Sequence, residues 1–116
     1  VITDEQILVE LARRVHGWTC IEPIGWFVDE DGGIHKYPSE WDPFSSWDDA
    51  MGLAGKFRDT HGWKLAVGNN ATDDGSWQAV AISPRGIADW QQVRDKSGPR
   101  AVCMAIAKAA GIEVTR

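Results

Sequence analysis

Trp41-Asp42-Pro43-Phe44-Ser45-Ser46-Trp47-Asp48-Asp49-Ala50-Met51 is the stretch whose reading decides the fold. Pro43 has no N–H to give and disfavours helix at the residue before it, so Trp41-Asp42-Pro43 reads as loop. Ser45 or Ser46 then supplies a helix cap, with Asp48 or Asp49 placed against the positive end of the dipole. Trp47, Ala50, Met51, Ala54 and Phe57 recur at helical spacing and share one face. A helix with one apolar face therefore stands near the middle of the chain, and the remaining segments have to be arranged around it.

Downstream, this helix stops at His61-Gly62-Trp63, where Gly takes the left-handed position and Trp packs back on the last turn. Trp63, Leu65 and Val67 alternate as a strand, Gly68 to Gly75 is rich in turn residues, and Trp77 to Ile82 is a second strand. Upstream, Thr3-Asp4-Glu5-Gln6 forms a capping box that opens a helix of about three turns with Ile7, Leu8, Leu11, Ala12 and Val15 on one face. That helix also stops at His-Gly-Trp, at His16-Gly17-Trp18. Ile24-Gly25-Trp26-Phe27-Val28, Asp29-Glu30-Asp31-Gly32-Gly33 and Ile34-His35-Lys36-Tyr37 follow as strand, turn and strand. The order helix, His-Gly-Trp, hairpin thus occurs twice, either as a duplicated αββ unit or as two uses of one favourable helix stop.

Ser83-Pro84-Arg85-Gly86 reads as a tight turn, and Ile87 to Val93 around Trp90 as a further strand or an irregular excursion. Ser97-Gly98-Pro99-Arg100 opens a last helix that runs to Ala110 and stops at Gly111. It is apolar nearly all round, so it needs cover on more than one face, from the sheet plus another helix or from a second subunit. The expected fold is a single α+β domain over 1–116: an antiparallel sheet of about four or five strands covered by three helices, in the order α-ββ-α-ββ(β)-α.

The composition, 43% hydrophobic and 25% charged, is that of an ordinary soluble globular domain. The net charge of −5, with acids in clusters, leaves no basic stripe to neutralise phosphates and disfavours direct nucleic-acid binding. There is no long apolar run, signal-like segment or lipidation motif, which points away from the membrane and from export. Cys20 and Cys103 are far apart and form neither a metal motif nor a disulfide framework, which fits a reducing cytoplasm. Seven Trp in so small a chain either cap the small core, the ordinary reading, or put some rings at an edge, a pocket or an interface.

Candidates for chemistry are few. His16 and His61 stand where a helix C-terminus favours a cation, and His35 has no sequence partner. Asp29-x-Asp31-Gly32 begins like a calcium loop but lacks the later ligands, so it reads as a plain turn; Asn70-Ala71-Thr72 matches a glycosylation acceptor in form but, with no export signal, reads as turn residues. Cys103 sits in an apolar helix, where burial rather than reactivity is expected. No nucleophile elbow, phosphate loop or dinucleotide fingerprint is present, and no catalytic residue, metal or cofactor is expected. Ser97 to Arg100 at a helix N-terminus could hold an anion, with Arg85, Arg94 and Arg100 as the ligand-binding candidates.

Taken in order, Thr3-Asp4-Glu5-Gln6-Ile7, Gly17-Trp18, Trp26-Phe27, Trp41-Asp42-Pro43 through Met51, Gly62-Trp63-x-Leu65, and Pro99-Arg100-Ala101-Val102-Cys103 with Lys108-Ala109-x-Gly111 resemble the phage ABA sandwich family of small bacteriophage and prophage proteins. The resemblance implies a layered α/β domain and a phage gene, and it carries no catalytic residues to transfer. The resulting expectation is a phage accessory protein in the host cytoplasm that binds and inhibits a host protein complex without catalysis, for example by anti-CRISPR-like occlusion. Its interface candidates are Trp41, Asp42, Phe44, Trp47, Asp48, Asp49 and Trp90. The alternatives are a binder or sponge for a nucleotide signal, and a structural protein acting as a homodimer through its apolar last helix.

Overall fold

The computed structural model describes residues 3–21, 26–37, 39–69 and 74–112, with 86–90 described as backbone alone. The proposed strand residues Ile24 and Gly25 and the Asn70-Ala71-Thr72 turn lie outside the described residues.

Helix α1 (Asp4–Leu11) opens on the expected capping box: the Gln6 N–H donates to the Thr3 hydroxyl at 3.2 Å, and the Thr3 N–H donates to Gln6 Oε1 at 2.8 Å. Its last turn is not α-helical as expected. Ala12–His16 form a π-helical turn, which keeps Ala12 and Val15 in the core while Arg13 and Arg14 both reach Glu10, at 2.6 and 3.0 Å. Helix α2 (Trp47–His61) is capped by Ser46, whose Oγ accepts from the Asp49 N–H at 3.3 Å. Both helices stop on a left-handed glycine, Gly17 at φ 75° and Gly62 at φ 76°, a conformation a Cβ would strain.

Among the described residues, six strands follow the two helices in two groups of three. β1 (Thr19–Ile21), β2 (Trp26–Val28) and β3 (Ile34–Lys36) form one antiparallel meander; β4 (Lys64–Gly68), β5 (Trp77–Ser83) and β6 (Gly86–Asp95) form another. The α+β class is therefore the one read from the sequence, with the strands divided between two sheets. The hairpin turn after β2 is set by Asp29, whose Oδ1 accepts from the N–H groups of Asp31 at 2.9 Å and Gly33 at 2.8 Å. Ile87 to Val93 resolves as strand: β6 runs for ten residues, joined to β5 by the Ser83-Pro84-Arg85-Gly86 turn.

Helix α3 (Gly98–Ala109) starts where Ser97 Oγ accepts from the Arg100 N–H at 3.4 Å, with Pro99 in the first turn. Its apolar circumference is covered inside one chain. Ala101 and Ala105 lie against Ala79 and Ala81 of β5, where four methyl groups let helix and sheet approach closely. Val102, Cys103, Met104 and Ile106 join Leu8, Leu11, Leu53 and Phe57 in the main core. Residues Ala101 to Ala107 are all buried, so a homodimer seam along this helix is corrected: sheet and helices already occupy the faces it would need.

The three helices run side by side in the same direction. At their starts, Arg100 of α3 grips Asp4 of α1 at 2.7 and 2.9 Å, and Ser97 Oγ donates to the Phe44 carbonyl at 3.3 Å just before α2. At their ends, Arg14 donates to the Ala110 carbonyl at 2.9 Å, and His61 Nε2 lies 3.4 Å from the Arg14 carbonyl. First-turn acids Asp4, Glu5, Asp48 and Asp49 therefore gather at one pole, and Arg13, Arg14, Arg58, His61 and Lys108 at the other. Aligned peptide dipoles repel one another sideways, and this placement of charge offsets the repulsion.

Candidate interaction surface

The loop before α2 is anchored in the core. Trp41 and Phe44 are 4% and 7% exposed; Trp41 meets Phe27 and Trp18 edge-on with ring centres 5.2 and 5.1 Å apart, and the Arg100 guanidinium lies 4.9 Å from the centre of the Phe44 ring. These two interface candidates belong to the scaffold. Asp42 and Asp49 do as well: the Asp42 N–H donates to Asp49 Oδ2 at 2.9 Å, and Asp42 Oδ1 accepts from the Phe44 N–H at 3.2 Å. The Asp49 carboxylate holds the loop onto the helix, and the Asp42 carboxylate fixes the turn within the loop. The backbone of Trp90 pairs with Ile82, and its side chain lies outside the described residues.

Trp47 and Met51 are presented differently. One turn apart on α2, they are 39% and 46% exposed, while Ala50, Leu53, Ala54 and Phe57 face inward. The buried stripe therefore runs through Leu53, and Trp47 and Met51 lie along its edge, which corrects the single face expected for them. Trp47 is held against Trp77, edge to face at 5.0 Å, and passes directly over Gly98, where a Cβ would clash with its ring and stand 3.1 Å from Trp77. Asp48 is exposed beside it. The sequence pointed to Trp47 and Asp48; Met51 as a surface residue and Trp77 as the brace were missed, since neither shows in spacing.

A second aromatic assembly joins the two halves of the first helix–sheet unit. Trp18 is stacked between His16 at 4.4 Å and His35 at 4.3 Å, with interplanar angles of 13° and 4°. His35 Nε2 meets Asp29 Oδ2 at 2.9 Å, and this bond is the leading cause holding the Asp29 carboxyl below its ordinary value. His35 thus has a partner that the sequence did not reveal. Burial, reinforced by Lys56 and His35, pushes His16 down to about 4, so His16 does not carry the dipole-capping charge expected of it.

The three arginine ligand candidates do not converge. Arg100 is taken up by Asp4 and by Asp95 at 3.2 Å, and its hydrogen bonds to Asp4 lead in raising its pKa. Arg94 is exposed opposite Gln78, on the sheet face turned away from α3, and Arg85 is exposed in the turn at the far end of the same hairpin. A small anion cannot reach all three, and Arg100 already has two carboxylates. Cys103 is buried, donates to the Pro43 carbonyl at 3.1 Å, and has a pKa raised chiefly by that burial, the opposite of an activated thiol. Among the described residues no three His, Cys, Asp or Glu are grouped to hold a metal, and no helix is long and apolar enough to cross a membrane.

No family model and no curated protein matches the chain. Among solved structures it is similar to a phage protein from Bacillus cereus ATCC 14579, with a TM-score of 0.72 and 14% sequence identity, over 99% of this chain and 94% of that one. At that identity the likeness is one of fold, and it extends over the whole α+β arrangement.

Proposed function

We propose that this is a phage or prophage accessory protein that acts without catalysis, binding a host protein complex and occluding it in the manner of an anti-CRISPR. The observation that carries the reading is the Trp47–Met51 patch: two large apolar side chains held at the surface on the acidic pole, one braced by Trp77 and flanked by Asp48. A rigid aromatic anchor with an acidic rim suits a partner whose apolar recess is bordered by basic residues. Phage origin is supported by the fold shared with the Bacillus cereus phage protein and by the motif resemblance to the phage ABA sandwich family. Host cytoplasm is the corresponding place of action.

The test is capture of the tagged protein's partners from bacterial cells, alongside a Trp47→Ser/Met51→Ser variant checked by near-UV circular dichroism. A defence or nucleic-acid-handling complex retained by the natural chain and lost by the folded variant supports the reading. Equal capture by both, or no specific partner in either, overturns it.

A further inference from the structure

Among the described residues two more large apolar side chains are exposed, Ile21 and Ile34, at 39% and 49%, and both stand on the β1–β3 sheet. Register places them at opposite corners of one face: Ile21, Trp26 and Lys36 lie in one row across the strands, and Thr19, Val28 and Ile34 in the other. Both rows point to the face opposite Cys20, Phe27 and His35. Phe27 turns into the core at 1% exposure, so the face bearing the isoleucines is the one directed away from the helices.

Among the described residues, charge is not spread evenly around that face. Lys36 stands at one end, its Nζ 4.3 Å from the centre of the Trp26 ring, and Glu40 at this end is engaged by the Lys36 N–H at 3.0 Å. Glu30 and Asp31 are exposed at the other end, in the hairpin turn. We propose that this face packs against the same face of a second copy, with strands reversed, so that Lys36 of each protomer meets the Glu30-Asp31 turn of the other. A two-fold contact uses every attractive pair twice, and an apolar middle with opposite charges at its two ends is self-complementary under that operation. Two packed sheets would exclude water from Trp26, Val28 and Ile34 of both copies. Three strands of three residues give a contact at the small end of protein interfaces, so the association is weak and depends on concentration. The inference is independent of the Trp47 surface, which lies on α2.

Sedimentation velocity from micromolar to near-millimolar concentration tests it. The natural chain should shift from monomer towards dimer across that range. Ile34→Glu should remain monomeric throughout, and Lys36→Glu should weaken the dimer by about tenfold through like charges brought together. Adding Asp31→Lys to Lys36→Glu in the same chain should restore association, a result that stands even if Ile34→Glu fails to fold. A natural chain that stays monomeric overturns the proposal. So does a dimer indifferent to Ile34→Glu, or a double variant that associates no better than Lys36→Glu.

Discussion

A histidine in the last turn of a helix ordinarily gains from the carbonyl end of the dipole by taking up a proton, yet His16 lies flat on Trp18 and edge-on to Trp41, with its pKa pushed down to about 4. Desolvation there outweighs the dipole. Because the folded pKa lies below the unfolded value of about 6.5, the unfolded chain binds the extra proton first, and stability falls as pH drops from about 6.5 to about 4. Allowing for the ring's partial exposure, the loss is about 2 kcal/mol. Urea denaturation at the two ends of that window should show it, and His16→Phe, which keeps the stack, should flatten the slope. Arg100 makes a second residue-level prediction. Its fork holds Asp4 and Asp95 together, so Arg100→Met should cost about 2 kcal/mol and Arg100→Lys should recover little of it, since an ammonium cannot reproduce the bidentate geometry. Gly98→Ala should push Trp47 off Trp77, read as loss of the coupled-indole signal in near-UV circular dichroism with the rest of the fold retained. The contacts of His16 with Trp41, Arg100 with Asp4 and Trp47 with Gly98 were not legible in sequence, because each joins residues far apart in the chain; Thr3 was legible as a cap, and Ser46 as one of two alternatives, because their partners lie three residues on.

Helix starts and stops were readable at the scale of elements, since Gly17, Gly62 and Gly111 all take the left-handed conformation and Pro99 opens α3. Which flank of α2 faces the core was not. Trp47 and Met51 share spacing with the buried residues and differ only in what lies opposite, and a sequence shows the period of a stripe but not its centre. The length of β6 was hidden because Gln91, opposite Ala81 on the same face as Val93, is polar and breaks the apolar alternation that Gln92 and Arg94 on the water-facing side would otherwise complete. The last helix was the clearest, its composition demanding cover on several sides. Its alanines carry a prediction. Ala105→Leu should destabilise by about 1–3 kcal/mol, because the helix lies on Ala79 and Ala81 with no room for three more carbons, whereas Met51→Ser on the exposed flank of α2 should change the unfolding midpoint little.

For the molecule as a whole, helix followed by a three-stranded meander occurs twice, and α3 closes the arrangement between the second sheet and the other two helices. The doubled His-Gly-Trp pointed to a repeated order; β1, the additional strand of the first unit, did not stand out, since Thr19–Ile21 is too short to show alternation. The side-by-side helices have a dynamical consequence. With acids at one end and bases at the other, the protein has a permanent electrical axis, and an approaching cationic partner exerts a torque as well as an attraction. The torque would turn Trp47 towards the partner before contact and raise the fraction of collisions that arrive correctly oriented. Neutralising Glu5 and Asp48 to their amides should therefore slow association several-fold at low salt while leaving the dissociation rate of the formed complex nearly unchanged, a difference stopped-flow measurements would resolve.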